Sequence, residues 1–177
     1  MRRWARTGAL LAGLVVLLLS QQLGRADPTQ DYRPELPPDA LTTGCYPLPG
    51  GVRPDFPYQV RRDRDVTTEA GPRRRLEGQY DVVDEQEALA ALVADFEAVG
   101  FRSLADPGDH DAVLRRPGGG PDAVVRIRVE PFPGVGEESL VRGTFELDLP
   151  VHRLPPDAPA VCHDAKTTKR WSGTADR

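Results

Sequence analysis

The chain lacks the short signatures by which most enzymes announce themselves. Gly-x-Ser-x-Gly, HExxH and the glycine-rich phosphate loop are all missing, which removes the motif-based cases for a serine hydrolase, a zinc peptidase or a nucleotide-binding enzyme. No internal repeat is present. Lysine is nearly absent: arginine supplies 21 of the 23 basic residues, and proline, glycine and alanine are abundant. That bias is the imprint of a GC-rich bacterial genome and carries no mechanism. Cysteine is limited to Cys45 and Cys162, too far apart for a redox CxxC pair.

Long apolar runs are also missing. Gly8 to Leu19 is apolar for about 12 residues, short of the roughly 20 needed for an ordinary spanning helix. Arg2, Arg3 and Arg6 precede it as a positive n-region, and Gly24-Arg25-Ala26 offers small residues at −3 and −1 for cleavage after Ala26. The arrangement predicts a secretory signal peptide over residues 1–26. The alternative is an uncleaved membrane anchor, with Trp4 at the interface and the leucine run extended through Leu23. In either case the chain beyond is expected outside the cytoplasm, secreted or tethered to the cytoplasmic membrane. No cysteine near Ala26 points to a lipid-modified N-terminus.

Removing residues 1–26 takes away four arginines and no acid, so the remainder has 19 basic and 27 acidic residues, a net of −8. Such a chain is repelled by nucleic acid and by anionic lipid. Two cysteines in an exported chain usually pair, so a Cys45–Cys162 disulfide is expected.

Residues 27–57 are proline-rich and read as an extended arm, because proline lacks the amide donor and disfavours helix at the residue before it. Phe56, Tyr58 and Val60 alternate with Pro57 and Gln59 and suit an edge strand. Arg61 to Arg75 is dense in both charges with no apolar period, and reads as an exposed loop. Leu76, Gly78, Tyr80 and Val82 then alternate with polar residues, which predicts a half-buried strand.

Asp84 with Glu87 matches a capping box, and Leu89, Leu92, Phe96 and Val99 form a stripe at helical spacing. Helix is therefore expected over Glu85–Val99, ended by Gly100 at C′ with Phe101 folding back on Phe96. Beyond it come a loop at 106–111, a strand at 112–116, a glycine turn at 117–121, a strand at 123–130 and a last strand from Val141 to Leu149. The final two should make an antiparallel hairpin with arginines facing acids. The predicted fold is α+β: one amphipathic helix on an antiparallel sheet of about four strands, ordered strand-helix-strand-strand-strand, with proline-rich flanks. The domain is placed at 58–164 and a polar tail at 165–177.

The candidate chemistry is sparse. Asp106, Asp109, His110 and Asp111 gather oxygen and nitrogen ligands in one loop, but without EF-hand spacing; a polar Asp-Gly turn explains them as well. Cys162-His163 could form a nucleophile pair only if Cys162 were free. Gly118-Gly119-Gly120 leads into a strand, unlike a phosphate loop. Arg61, Arg62, Arg64, Arg73, Arg74 and Arg75 make one basic region, diluted by Asp63, Asp65 and Glu69. No cofactor or metal is assigned. The leading expectation is a non-catalytic envelope domain that binds a protein or other envelope component. A second is a small-ligand carrier or sensor with a pocket between helix and sheet. A third is a hydrolase whose site is dispersed over His110, Asp111 and His152.

Overall fold

A computed structural model describes residues 36, 38–69, 71–120 and 123–163. The expected signal or anchor segment, the first part of the following spacer and the polar tail lie outside these residues. No helix among the described residues is long and apolar enough to cross a membrane.

Six strands and one α-helix form the domain: β1 (Tyr58–Thr68), β2 (Gly71–Asp81), α1 (Glu85–Ala98), β3 (Arg102–Ser103), β4 (Ala112–Arg115), β5 (Val124–Pro131) and β6 (Val141–Pro150). They make one antiparallel sheet in the order β1-β2-β6-β5-β4-β3. The fold is α+β as expected, but the sheet has six strands rather than about four, and two strands precede the helix rather than one. Both differences have identifiable sources. The two-residue β3 is too short to leave a periodic signal. The stretch read as a charged loop, Arg61 to Arg75, is instead most of a long hairpin, β1–β2, with Tyr58 opposite Tyr80 at one end and Thr68 opposite Gly71 at the other. Its charges conceal the strand period because the inward positions near the turn hold Asp63 and Arg74 in place of apolar residues.

The helix forms as its sequence dictates. Asp84 accepts a hydrogen bond from the Glu87 amide at 2.8 Å, and the Glu87 carboxylate accepts from the Asp84 amide at 3.1 Å, so two of the otherwise unpaired first-turn donors are satisfied. Ala88, Leu92 and Phe96 are fully buried, with Leu89 and Val99 packed partly beneath them. Gly100 takes φ +91 and ends the helix, a conformation that only glycine adopts cheaply. Phe101 returns to Phe96 with ring centroids 5.5 Å apart.

One face of the sheet is covered from two directions. The helix lies on β5 and β4, against Leu114, Val125 and Ile127. The proline-rich arm contributes Leu41, Leu48, Val52 and Phe56 to the same core. Phe56 meets Phe145 of β6 edge-on at 5.9 Å, and the Asp55 amide donates to Asp95 of α1 at 3.1 Å. Val60 is buried and Tyr58 half-buried beside it, so the expected edge strand is present and continues far beyond Val60. Cys45 and Cys162 are joined, with Cα atoms 5.2 Å apart, and close the arm onto the chain after β6. Such a bond persists in an oxidising compartment.

Val82 departs from expectation. A register shift between Tyr80 and Asp81 turns Asp81 inward and leaves Val82 56% exposed. A bulge inserts one residue and so exchanges the faces beyond it. The Val83 amide donates to the Asp81 carbonyl at 2.7 Å across a valine at φ +69, a tight turn that strains a β-branched residue.

Candidate functional site

The catalytic candidates do not assemble. His110 lies in the loop before β4, whereas His152, beyond β6, packs edge-on against Tyr46 at 5.9 Å. Tyr46 sits over β2 through its carbonyl, which accepts from Arg74. β4 and β2 are separated by β5 and β6, a lateral distance of about 14 Å at ordinary strand spacing. Asp111 serves the sheet: its carboxylate accepts from the Val129 amide at 2.7 Å. Asp106 caps its own turn through the Gly108 amide at 3.0 Å, and the Asp109 carbonyl accepts from Arg128 at 2.6 Å. The loop thus takes the form of an Asp-Gly turn. Among the described residues no group of three or more His, Cys, Asp or Glu is placed to hold a metal. The Cys162 sulfur is in the disulfide, so Cys162 and His163 cannot act as a nucleophile pair. Gly118–Gly120 turn the chain from β4 to β5, with the Gly119 amide bonded to the Arg116 carbonyl. Between helix and sheet, the space proposed for a ligand is filled by Leu92, Phe96, Leu114 and Ile127, all fully buried.

The basic region behaves differently from a solvated loop. Arg74 points inward and is 1% exposed, as is Asp63. Its Nε and Nη2 donate to the two Asp63 oxygens at 2.8 and 2.6 Å, and Nη1 and Nη2 donate to the carbonyls of Pro47 and Tyr46 at 3.0 and 2.8 Å. The guanidinium also lies 5.8 Å from the centre of the Tyr46 ring, whose hydroxyl is pushed up from its ordinary pKa first by burial and then by Asp65 and Asp63. A buried charge with four of its five N–H donors used is a structural clamp; it fixes the arm next to Cys45.

The remaining arginines of the hairpin project to the opposite, outer face of the sheet. Pairing register arranges that face in rows. Gln59, Gln79, Thr144 and Glu130 face one another across β1, β2, β6 and β5. The next row reads Arg62, Glu77, Glu146, Arg128, and the one after it Arg64, Arg75, Asp148, Arg126. Arg73 of β2 and Arg142 of β6 continue the same face. With Arg61, which lies at the bulge beside Arg62 and bonds Gln59 of this face, eight arginines stand among four acids. Glu77 is shared by Arg62 at 3.5 Å and Arg64 at 3.4 Å. Glu146 meets Arg75 at 3.3 Å. Asp148 is shared by Arg73 at 2.7 Å and Arg126 at 3.0 Å. Glu77 and Glu146, like charges directly opposite, would repel without arginines on either side.

Most of these side chains remain in reach of solvent: Arg62 is 56% exposed, and Arg64, Arg75, Glu146 and Arg126 are about one-third exposed. A shallow groove of about 550 Å³ crosses the first two rows, with Phe132 of the β5–β6 turn also in its lining. No family model, no curated protein and no solved structure matches this chain, so the case for function rests on the groove and its charges.

Half of this face was anticipated. Arginines on β5 opposite acids on β6 follow from alternation, and the structure pairs Arg126 with Asp148. The other half was missed with the β1–β2 hairpin. Its signal was present in Arg73, Arg75, Glu77 and Gln79, which alternate with Arg74, Leu76, Gly78 and Tyr80. Reading Arg74 as an inward residue would have extended the strand by one turn of that period.

Proposed function

We propose that this chain is an exported cell-envelope domain that acts by binding, without chemistry of its own, and that the outer face of the sheet is its binding surface. The observation that carries the reading is the arginine excess on that face. The chain beyond residue 26 has a net charge of −8, yet this face holds eight arginines among four acids. A local charge opposite to that of the whole molecule steers a partner to one orientation. The filled core between helix and sheet disfavours a carrier for small ligands, and the separation of His110 from His152 disfavours the dispersed hydrolase.

Two measurements test this. N-terminal sequencing of the native protein should find a chain starting near Asp27, or intact chain fractionating with membrane; a soluble cytosolic protein starting at Met1 removes the export reading. Purified domain, immobilised, should retain material from an isolated envelope fraction. The folded Arg62→Glu/Arg126→Glu variant should lose that retention. Equal retention by the variant would move the binding surface elsewhere.

A further inference from the structure

We infer that the partner is an acidic polysaccharide, a polymer of uronic acid character, held in the groove across β2 and β6. This rests on the binding reading above and adds the chemical class of the ligand. The groove, about 550 Å³, falls within the ordinary range for ligand sites. Its lining mixes donors and acceptors in balance: Arg61, Arg62 and Arg128 donate, Glu77, Glu130 and Glu146 accept, and Gln79 and Thr144 do both. Sugar hydroxyls also donate and accept, so a ligand carrying many of them satisfies such a lining. Half-buried Phe132 adds an aromatic ring to the lining.

A peptide suits the groove less well. The groove lies in mid-sheet, where β2 and β6 already use their main-chain groups on each other and on β1 and β5. Strand addition therefore has nothing to pair with there. An anionic bilayer also fits poorly, because Glu77, Glu130 and Glu146 stand among the arginines and would face its headgroups. A polymer that spaces its carboxylates with neutral hydroxyls avoids both difficulties. The row of Arg64, Arg75 and Arg126 lies about 7 Å along the strands from the groove's Arg62 row; its own acid is Asp148, which Arg126 meets, while Arg64 and Arg75 reach back to Glu77 and Glu146 of the Arg62 row. Each of these pairs uses one nitrogen of a guanidinium that stays about one-third exposed, so the remaining donors can take a carboxylate in the paired geometry that arginine favours.

The test uses the chain from Asp27 onward and four probes: a defined oligogalacturonate, a neutral dextran oligomer of equal length, polyglutamate, and phosphatidylglycerol vesicles. Calorimetry should show saturable binding of the oligogalacturonate, at least about tenfold tighter than dextran and weakening as salt rises. Arg64→Gln/Arg75→Gln should lose about tenfold in affinity for the uronate, and Phe132→Ala, at a half-buried lining residue, gives a second variant that leaves the charge lattice intact and should also weaken binding. Equal binding of dextran, tighter binding of polyglutamate or of vesicles, or no saturable binding of the uronate would overturn the assignment. If envelope material is still retained through Arg62 and Arg126 while the oligogalacturonate fails, the ligand class is wrong and the binding surface stands. If both fail, the surface itself is wrong.

Discussion

At the scale of single residues, two buried polar groups have opposite circumstances and predict opposite outcomes. The Tyr80 ring is fully buried, and its hydroxyl has no hydrogen-bond partner among the described residues. Burial, with Glu85 and Asp84 nearby, pushes its pKa up to about 12. An unpartnered buried hydroxyl costs more than its absence, so Tyr80→Phe should leave stability unchanged or raise it, as read by urea unfolding at neutral pH. The same shift fixes a pH dependence. Below about pH 10 the hydroxyl is neutral in folded and unfolded chains alike. As pH rises from about 10 to about 12, the unfolded chain ionises first, so stability falls across that window. The phenylalanine variant should lose that part of the alkaline decline, and an unchanged profile would contradict the burial of the hydroxyl. Asp63 is the reverse case, since both its oxygens are occupied by Arg74. Asp63→Ala strands a buried guanidinium without its counter-charge and should cost about 3–5 kcal/mol. The double variant Asp63→Leu/Arg74→Met should cost less than the two single changes summed. Additive costs would mean that the pair is not coupled.

Elements show how far the sequence could be read. Gly100 and Gly78 separate two reasons for glycine. Nothing lies within 4 Å of a Cβ built at Gly100, where φ is +91; a side chain there has room but the wrong backbone. Gly100→Val should therefore cost about 1 kcal/mol or more from conformation alone. At Gly78 a Cβ would overlap the Phe145 ring, so Gly78→Ala should cost about 1–3 kcal/mol by displacing that ring. Thermal unfolding of the two variants checks both. A Gly100→Val variant as stable as the wild type would remove the cap assignment. Helix α1, its cap and the β5–β6 pair were legible because local periodicity and capping chemistry agree with the tertiary packing. Hairpin β1–β2 was not, because its interior near the turn is closed by an ion pair, and Asp63 and Arg74 read as surface residues until each is known to face the other. Val82 was misread for a related reason: the bulge at Tyr80/Asp81 shifts a strict alternation by one residue, and no single residue marks it. The rows of the outer face depend on register between strands far apart in sequence, so they become visible only once β2 is placed between β1 and β6.

At the scale of the whole molecule, the arm is held by three devices of different chemistry. The disulfide joins Cys45 to Cys162 across 117 residues. The Arg74–Asp63 clamp grips the carbonyls of Tyr46 and Pro47. Leu48, Val52 and Phe56 are embedded in the core. These act in sequence along the arm, so their failures should be ordered. A covalent loop of this length limits the unfolded chain and is worth about 4–5 kcal/mol on the chain-entropy account, a large share of the 5–15 kcal/mol typical of a domain. Cys45→Ser should lower the unfolding temperature markedly without abolishing the fold, because the clamp and the embedded apolar residues remain. Limited proteolysis of that variant should cut first among residues 38–45, before Tyr46, while 48–56 stays protected with the sheet. Adding Asp63→Ala should then release the arm through Phe56 and expose the core face of β1 and β2 to cleavage. The intact protein from an oxidising compartment should show the mass loss of two hydrogens. Two freely alkylated thiols in the native protein, or first cleavage within 48–56 in the single variant, would refute this order and with it the view that arm, clamp and disulfide complete the cover of the sheet that the helix begins.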